Sequence, residues 1–177
     1  MRKDALSNEA QMADAVARFL RQHRGCRKTQ REVRVARARF DVVGYNKNHN
    51  TVVIAECKRG SKPRTIGNCF GQLIAYLGLI AKDGKPIIHA LNDLIGAEGA
   101  LRMGKEGKLR LQFFVALTDR AFGEKNLALL RFLKQLAPQI GLIRVNRHGR
   151  CRMRHKGRKQ EPRLFNPKTI EVPVRGI

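Results

Sequence analysis

Asp41, Glu56 and Lys58 carry side chains that could bind a metal ion and act on a charged substrate. Glu56 and Lys58 are two positions apart, so on a β-strand both side chains point to the same face, about 6–7 Å apart along the chain. Burial of such an ion pair adds little to stability, which favours a role in chemistry. Glu-x-Lys alone, however, is more typical of a strand that has left the core, with both charges in water.

Asp41 favours the chemical interpretation. It ends a predicted strand, and a polar turn separates it from the strand that carries Glu56. If residue 44 pairs with residue 51, Asp41 lies opposite about residue 54, and a shear or bulge in the hairpin brings it beside Glu56. Two adjacent carboxylates repel each other unless a cation lies between them. Oxygen ligands of this kind suit Mg²⁺, which keeps several waters and binds few carboxylates.

A third carboxylate, Glu9, lies in the first turn of a predicted helix. It precedes Met12 by three residues and Val16 by seven, so it falls on the apolar stripe of that helix. An acid on this stripe either contributes to a site or lies at the solvent edge, where the helix dipole favours it. The sequence supports both interpretations equally.

The elements that must position these residues are both helices and strands. Helices are predicted over 7–24, 66–82, 87–103 and 124–137, and strands over 32–45, 51–58, 111–117 and 141–146. The helix over 87–103 is the weakest of these predictions, because Gly96 and Gly99 lower its helix propensity. The order of elements indicates an α/β layer fold with a mixed central β-sheet.

The charge of the chain indicates a polyanionic partner. Lys and Arg number 37 against 14 Asp and Glu, a formal net charge of +23, and a folded domain tolerates such repulsion poorly unless a polyanion offsets it. Nucleic acid is the favoured partner, since contacts to phosphates release counterions. The other interpretation is a merely basic protein, including a ribosome-associated one. An anionic membrane surface is less suitable, because no basic amphipathic helix with a large apolar face is evident.

We expect a cytoplasmic protein that associates with nucleic acid and not with membranes. The chain has no apolar run of the length that spans a membrane, and its first residues lack the apolar stretch of a secretory signal. The four cysteines have no zinc-binding spacing and are typical of small buried residues in a reducing compartment: Cys26, Cys57, Cys69 and Cys151.

Asp41, a gap of fourteen residues and then Glu56-Cys57-Lys58 after an apolar strand resemble the D-(x)n-ExK signature of the PD-(D/E)xK nuclease superfamily. This superfamily includes many restriction enzymes, Holliday-junction resolvases and RecB-like nuclease domains. The resemblance covers roughly residues 7–145. Phe40 stands where the superfamily name has proline, although that proline is often absent.

A second motif is similar to one branch of the superfamily. Gln72 and Tyr76, in Gly-Gln-Leu-Ile-Ala-Tyr, resemble the Gln-x-x-x-Tyr helix motif of RecB-like nucleases. The resemblance implies a restriction-endonuclease-like core of the αβββαβ type over residues 1–146. Residues 147–177 form a basic C-terminal extension without a counterpart in the family. The resemblance also implies DNA as the substrate and Mg²⁺ or Mn²⁺ as the cofactor.

The resemblance further implies a role for each residue of the motif. Asp41 and Glu56 would bind the metal ion together with the backbone carbonyl of Cys57. Lys58 would orient or help to deprotonate the attacking water, or contact the scissile phosphate. Glu9 would bind a metal-coordinated water or a second ion.

Residues around the motif would position the substrate. Gln72 would position Lys58 or the nucleic-acid backbone, and Tyr76 would flank Gln72 or simply lie at the edge of the core. Five basic residues would bind phosphates, or else belong to a generic basic surface: Arg37, Arg39, Arg59, Lys62 and Arg64.

The predicted function is hydrolysis of DNA phosphodiester bonds by an Mg²⁺-dependent endonuclease, with a homodimer as one assembly that this class uses. The first alternative is a nucleic-acid-binding protein that keeps the nuclease fold without catalysis. A weaker alternative is a small RNA-binding or ribosome-associated protein. A carboxylate-dependent metal site distinguishes the enzyme from the two binding proteins.

Overall fold

A mixed seven-stranded β-sheet lies at the centre of the computed structural model, which describes residues 6, 8–35, 37–153 and 165–174. Its strands are β1 (Lys28–Val35), β2 (Ala38–Asn46), β3 (Thr51–Lys58), β4 (Lys108–Thr118), β5 (Ile140–Val145), β6 (Cys151–Arg152) and β7 (Ile170–Pro173). The α-helices are α1 (Glu9–His23), α2 (Pro63–Ile80), α3 (Lys85–Ala90), α4 (Asn92–Glu106) and α5 (Glu124–Leu136), and a 3₁₀-helix spans Asp119–Phe122.

The strands lie in the order β1-β2-β3-β4-β5-β6, and β7 pairs with the first residues of β4. The pairs β3–β4 and β4–β5 are parallel, whereas the other pairs are antiparallel. Helices cover both faces, so the predicted α/β class with a mixed central sheet is confirmed. Among the described residues, the helices are all too short or too polar to cross a membrane.

Two predicted elements are wrong. The stretch 32–45, predicted as one strand, belongs to two antiparallel strands, β1 and β2, separated by a turn that includes Arg37. This turn lacks the Gly, Pro, Asn and Asp residues that mark turns in a sequence. The predicted helix over 87–103 is two helices, α3 and α4, and Gly96 within α4 has a φ of 72° that suits glycine. The additional strand places three strands between α1 and α2.

β3 is covered on both faces of the sheet, and its carboxyl end carries two residues of the predicted site. Val53 and Ala55 pack in the core beneath α1, while Ile54 packs in the larger core beneath the helices of the other face. Burial on both faces accounts for the nearly continuous apolar sequence of β3. By the alternation of a strand, Glu56 and Lys58 follow Ile54 onto its face at the carboxyl end of β3.

β1 and β2 change faces together at one point, which we call the β1–β2 bend. Val42 packs beneath α1, whereas Phe40, two residues earlier on β2, packs in the core of the opposite face. Residues two apart on a regular strand share a face, so β2 bends at the intervening Asp41. Its neighbour on β1 is Glu32, just before the pair Val33–Phe40. Glu32 has a φ of 55°, which is uncommon for a residue with a side chain.

The C-terminal segment returns to the sheet. β7 pairs with β4, and the Lys134 ammonium at the end of α5 donates hydrogen bonds to three backbone carbonyls, those of Pro138 (2.8 Å), Ile140 (2.5 Å) and Asn166 (2.8 Å). β6 and β7 therefore come from the predicted basic extension over 147–177. Residues 154–164 of that extension lie outside the described residues.

The cysteines are all free thiols. Cys26, Cys57 and Cys69 are buried and Cys151 is partly buried, which confirms the prediction of small buried residues for the first three. Burial raises the pKa of the Cys57 thiol well above its ordinary value, and a thiol held protonated is inert as a nucleophile. Cys57 is therefore not a candidate nucleophile.

Candidate active site

Asp41 and Glu56 lie next to each other on the hairpin of β2 and β3. The antiparallel pairing of this hairpin runs from Asn46–Thr51 to Val42–Ala55, and one further step in the same register places Asp41 opposite Glu56. The predicted pairing of residue 44 with residue 51 is wrong by two positions, because β2 continues to Asn46. The continuous register brings the two acids together directly, whereas the sequence-based alignment needed a shear or a bulge.

The two acids line a cavity of about 370 Å³, which we call the acidic cavity. It lies between the start of α1, the β1–β2 bend, the end of β3 and one side of α2. Its lining residues are Glu9, Ala10, Ala13, Arg31, Glu32, Arg39, Asp41, Glu56, Lys58, Gln72 and Tyr76. All five side chains predicted as catalytic are among them, although they come from four different elements of the fold.

Glu56 is the most unusual residue of the cavity, because it is a carboxylate that is only 1% exposed. Its Oε2 atom has no hydrogen-bond partner among the described residues. Burial, and then the charge of Asp41, raise the pKa of Glu56 from an ordinary 4.5 to about 7, although Lys58 opposes this shift. An unpaired buried oxygen of this kind costs free energy unless a cation or a water binds it.

Lys58 lies between two acids. Its ammonium nitrogen is 3.6 Å from an oxygen of Glu56 and 3.5 Å from an oxygen of Glu9. Partial burial disfavours the charged form of Lys58, but Glu56, Glu9 and Asp41 outweigh it and hold the pKa of Lys58 above its ordinary value. Lys58 is therefore a cation at neutral pH in this structure, with α1 and β3 both supplying its partners.

Asp41 is held in place from the neighbouring strand. One of its carboxylate oxygens accepts a hydrogen bond of 2.8 Å from the backbone N–H of Cys57. This bond fixes the carboxylate across the strand pair, at the point where β2 bends away from a regular path. The orientation of Asp41 toward Glu56 therefore depends on the backbone of β3, and not on flexible side chains alone.

Gln72 and Tyr76 form a short polar chain on the side of α2 that lines the cavity. The Gln72 amide donates a hydrogen bond of 2.7 Å to the Tyr76 hydroxyl. The Tyr76 ring packs edge-on against Phe40, with 5.1 Å between ring centroids. Tyr76 therefore packs against the core and also lines the cavity, and its role in binding stays a prediction.

The donor set of the acidic cavity suits a hard divalent cation. Within the described residues, no three His, Cys, Asp or Glu side chains are arranged as a metal-binding group. Mg²⁺, however, is commonly bound through one or two carboxylates and keeps its remaining ligands as water. Asp41 and the unpaired Oε2 of Glu56 meet that requirement, and they are the residues that would hold such an ion.

The predicted phosphate-binding residues divide into two groups. Arg39 lines the acidic cavity, where its guanidinium forms an exposed ion pair of 2.8 Å with Glu32. The other four are exposed and do not contribute to the lining of this cavity: Arg37, Arg59, Lys62 and Arg64. Arg37 lies in the turn after β1, Arg59 and Lys62 lie between β3 and α2, and Arg64 lies in the first turn of α2.

Three charged residues at the site were not predicted from the sequence: Arg31, Glu32 and Asp14. Arg31 lines the cavity from β1, and its guanidinium bonds the Asp14 carboxylate on α1 at 2.6 Å. Neither residue belongs to a short motif, and their separation along the chain conceals the contact. The only signal available in the sequence was the position of Arg31 beside Glu32 in a strand, which by itself indicates nothing about a cavity.

Comparison with known proteins supplies no relative: no protein-family model, no curated protein and no solved structure matches this chain. The resemblance to the PD-(D/E)xK superfamily therefore stays a prediction. Its support is the arrangement of Asp41, Glu56 and Lys58 in one cavity and the αβββα order of the first elements.

Proposed function

We propose that this protein is an Mg²⁺-dependent deoxyribonuclease that hydrolyses DNA phosphodiester bonds as an endonuclease, as the predicted resemblance to the PD-(D/E)xK superfamily implies. One observation carries the proposal. Glu56 holds a buried carboxylate oxygen without a partner among the described residues, beside Asp41, in a cavity that also contains Lys58. A structural ion pair would satisfy its oxygens, whereas a metal ligand leaves one oxygen for the ion.

The metal ion would supply charge stabilisation and a more acidic water at the bound phosphate. Asp41 and Glu56 would hold the ion, and Asp41 would keep its orientation through the Cys57 amide. Lys58, charged at neutral pH, would bind a phosphate oxygen or orient the attacking water from its position between Glu56 and Glu9. Gln72 would donate a hydrogen bond to the nucleic-acid backbone or help to position Lys58.

DNA is proposed as the substrate because of the charge of the chain. The formal net charge is +23, and phosphate contacts by Lys and Arg provide most of the affinity of nonspecific nucleic-acid binding. Four exposed basic residues lie in or beside the elements that line the cavity and would bind phosphates on either side of the scissile one: Arg37, Arg59, Lys62 and Arg64.

The test is a cleavage assay with plasmid, branched and single-stranded DNA in the presence of Mg²⁺ or Mn²⁺. We expect metal-dependent cleavage by the wild type and its loss in Lys58→Ala. The matched control is Lys108→Ala, which also removes one ammonium but acts on an ion pair with Glu171 at the far end of the sheet. Absence of cleavage by the wild type, or equal cleavage by both variants, would argue against the proposal.

A second candidate function is nucleic-acid binding without catalysis, and the net charge of +23 favours it because charge needs no active site. Calorimetric titration with Mg²⁺ or Mn²⁺ separates the two proposals. A binding protein gives no metal site that depends on Asp41 and Glu56, whereas the nuclease does. Competition between DNA and RNA of equal length adds a further outcome, since preference for RNA would favour a ribosome-associated role.

A further inference from the structure

Arg31 is a guanidinium held in the wall of the acidic cavity. Its Nη1 atom bonds Asp14 on α1 at 2.6 Å, and the ion pair is partly buried. Its Nε atom is buried and has no hydrogen-bond partner in the part of the chain that the structure describes. A guanidinium has five N–H donors, and the Arg31 side chain is 35% exposed, so the contact with Asp14 leaves other donors for an acceptor in the cavity.

The β1–β2 bend brings this guanidinium to the site. Arg31 precedes Glu32 on β1, and Asp41 lies opposite Glu32 on β2, at the position where both strands change faces. Glu32 has the strained backbone φ of 55°, and such strain persists where the surrounding structure imposes it, often at functional sites. A regular strand pair would turn Arg31 and Asp41 to opposite faces of the sheet.

The other cations of the cavity are already engaged. Lys58 lies between Glu9 and Glu56, and Arg39 forms its ion pair with Glu32 on the exposed rim. Among the cavity-lining cations, Arg31 therefore combines partial burial, a fixed position and donors without acceptors. Guanidinium donors arranged as a fork suit the paired oxygens of a phosphate.

We propose that Arg31 binds a phosphate of DNA in the acidic cavity and that Asp14 is the positioning residue that holds it there. The inference rests on the proposed function and deepens it, because it assigns a phosphate contact to β1 outside the D…ExK motif. The phosphate would approach between Lys58 and Arg31, in the cavity that Asp41 of β2 and Glu56 of β3 also line.

The test is DNA binding in a Lys58→Ala background with Mg²⁺, so that duplex DNA is bound without being cut. We compare Arg31→Gln with Arg34→Gln, which makes the same charge change at an exposed position of β1. We expect Arg31→Gln to weaken binding about tenfold or more and to reduce the slope of log K against log salt by about 0.9. Arg34→Gln should change binding less than twofold.

Cleavage kinetics with otherwise wild-type protein distinguish failure of this inference from failure of the proposed function. If the wild type cleaves DNA and Arg31→Gln matches Arg34→Gln in binding, salt slope and kcat/KM, the inference is overturned while the nuclease stands. If the wild type never cleaves, the nuclease falls, and the binding comparison alone decides whether Arg31 contacts phosphate. Thermal melting shows whether Arg31→Gln folds. If it does not fold, Arg31→Lys replaces it, because lysine keeps the positive charge but lacks the paired donors of the guanidinium.

Asp14 has a separate readout. Asp14→Asn removes the charge that fixes Arg31, so we expect a higher KM with a smaller change in kcat, and recovery in Asp14→Glu. A purely structural role of Asp14 would lower the melting temperature and leave KM unchanged in the folded protein, which would overturn its assignment as a positioning residue.

Discussion

Two cavities at opposite ends of the sheet differ in how far their charged groups are paired, and the larger cavity is the better paired one. The acidic cavity, at the carboxyl end of β3, has a volume of about 370 Å³. A second cavity of about 970 Å³ lies at the amino end of β3 and β4, where it is also lined by charged residues, including Arg24, Arg102, Glu106, Arg110 and Glu171. Both cavities are polar and both contain arginine beside glutamate.

The charges of the second cavity bind one another. Arg110 pairs with Glu106 at 2.9 Å and with Glu171 at 3.3 Å, and Arg24 donates to Gln112 at 2.6 Å. Arg102 lies 3.6 Å from an oxygen of Glu98. Each of these charged residues has a partner, so we interpret the second cavity as a polar junction between β4, β7 and the β2–β3 turn.

The acidic cavity has the opposite character. It places Asp41 beside Glu56. Within the part of the chain that the structure describes, one buried oxygen of Glu56 and the buried Nε of Arg31 have no hydrogen-bond partner. Groups of this kind lower the stability of the free protein and become favourable when an ion and an anion bind. Charged groups with unpaired polar atoms, more than cavity volume, therefore identify the candidate active site of this molecule.

The largest expected difference between the cavities is in catalysis. Asp41→Asn keeps the shape of the side chain but removes a proposed metal ligand, so we expect kcat/KM for DNA cleavage to fall about 10³-fold. Glu106→Gln makes the equivalent change in the second cavity and should leave kcat/KM within about twofold of wild type. Similar losses in the two variants would abolish the functional distinction between the cavities.

The pH dependence of stability provides the next largest effect. In the metal-free protein Glu56 binds its proton more tightly when folded, since burial and Asp41 raise its pKa from 4.5 to about 7. The folded state therefore holds more protons than the unfolded state between these pH values, and stability falls as pH rises through that window. This group contributes a loss of about 3 kcal/mol, complete above pH 7.

Urea denaturation at several pH values, with a chelator present, measures this loss. The difference between wild type and Glu56→Gln isolates the contribution of one group, because the amide does not titrate. Wild type and Glu56→Gln with the same pH profile would show that Glu56 titrates normally in the folded protein. Glu106→Gln serves as the matched control from the second cavity.

Mg²⁺ should reverse the cost of ionising Glu56 and stabilise the folded protein at pH 8. At a hundredfold excess over its Kd, a ligand that binds only the folded state adds about 2.7 kcal/mol, which for a chain of this length raises Tm by about 5–10 °C. We expect this shift in wild type and Glu106→Gln but not in Glu56→Gln. A Tm shift that survives in Glu56→Gln would locate the ion elsewhere.

The smallest expected effect concerns the second cavity itself. Arg24 lies 5.2 Å above the Phe114 ring as well as bonding Gln112. We expect Arg24→Met to lower the free energy of unfolding by about 1–2 kcal/mol while kcat/KM for cleavage stays within twofold of wild type. A large loss of cleavage by folded Arg24→Met would instead make the second cavity part of the functional surface.

Local sequence patterns were sufficient to predict the central elements of the fold. The apolar run over 51–58 coincides with β3, and α1 begins and ends close to the predicted 7–24. The turn between β1 and β2 could not be predicted in this way, because it uses residue types without turn preference. Pairing of the β2–β3 hairpin was shifted by two positions, since the polar residues at its turn do not define where β2 ends.

The candidate site was predictable only as far as its motif extends. Asp41, Glu56 and Lys58 are close in sequence, and the spacing of two between Glu56 and Lys58 already places them on one face. Arg31 and Asp14 meet through the packing of α1 on β1 and the bend at Glu32, which are tertiary effects. Patterns of neighbouring residues carry no information about a contact of this kind.

The way in which β7 returns to β4 determines how the basic extension should be studied. Val172 and Val174 of this segment are buried, and the Lys134 ammonium donates a hydrogen bond to the carbonyl of Asn166. Truncation after residue 153 would therefore expose one edge of β4 and remove the hydrogen bond from Lys134 to Asn166. A loss of DNA affinity in the truncated protein could then come from damage to the fold. Replacing the arginines and lysines of 154–163 with glutamine, while keeping every residue from 165 onward, separates electrostatics from architecture.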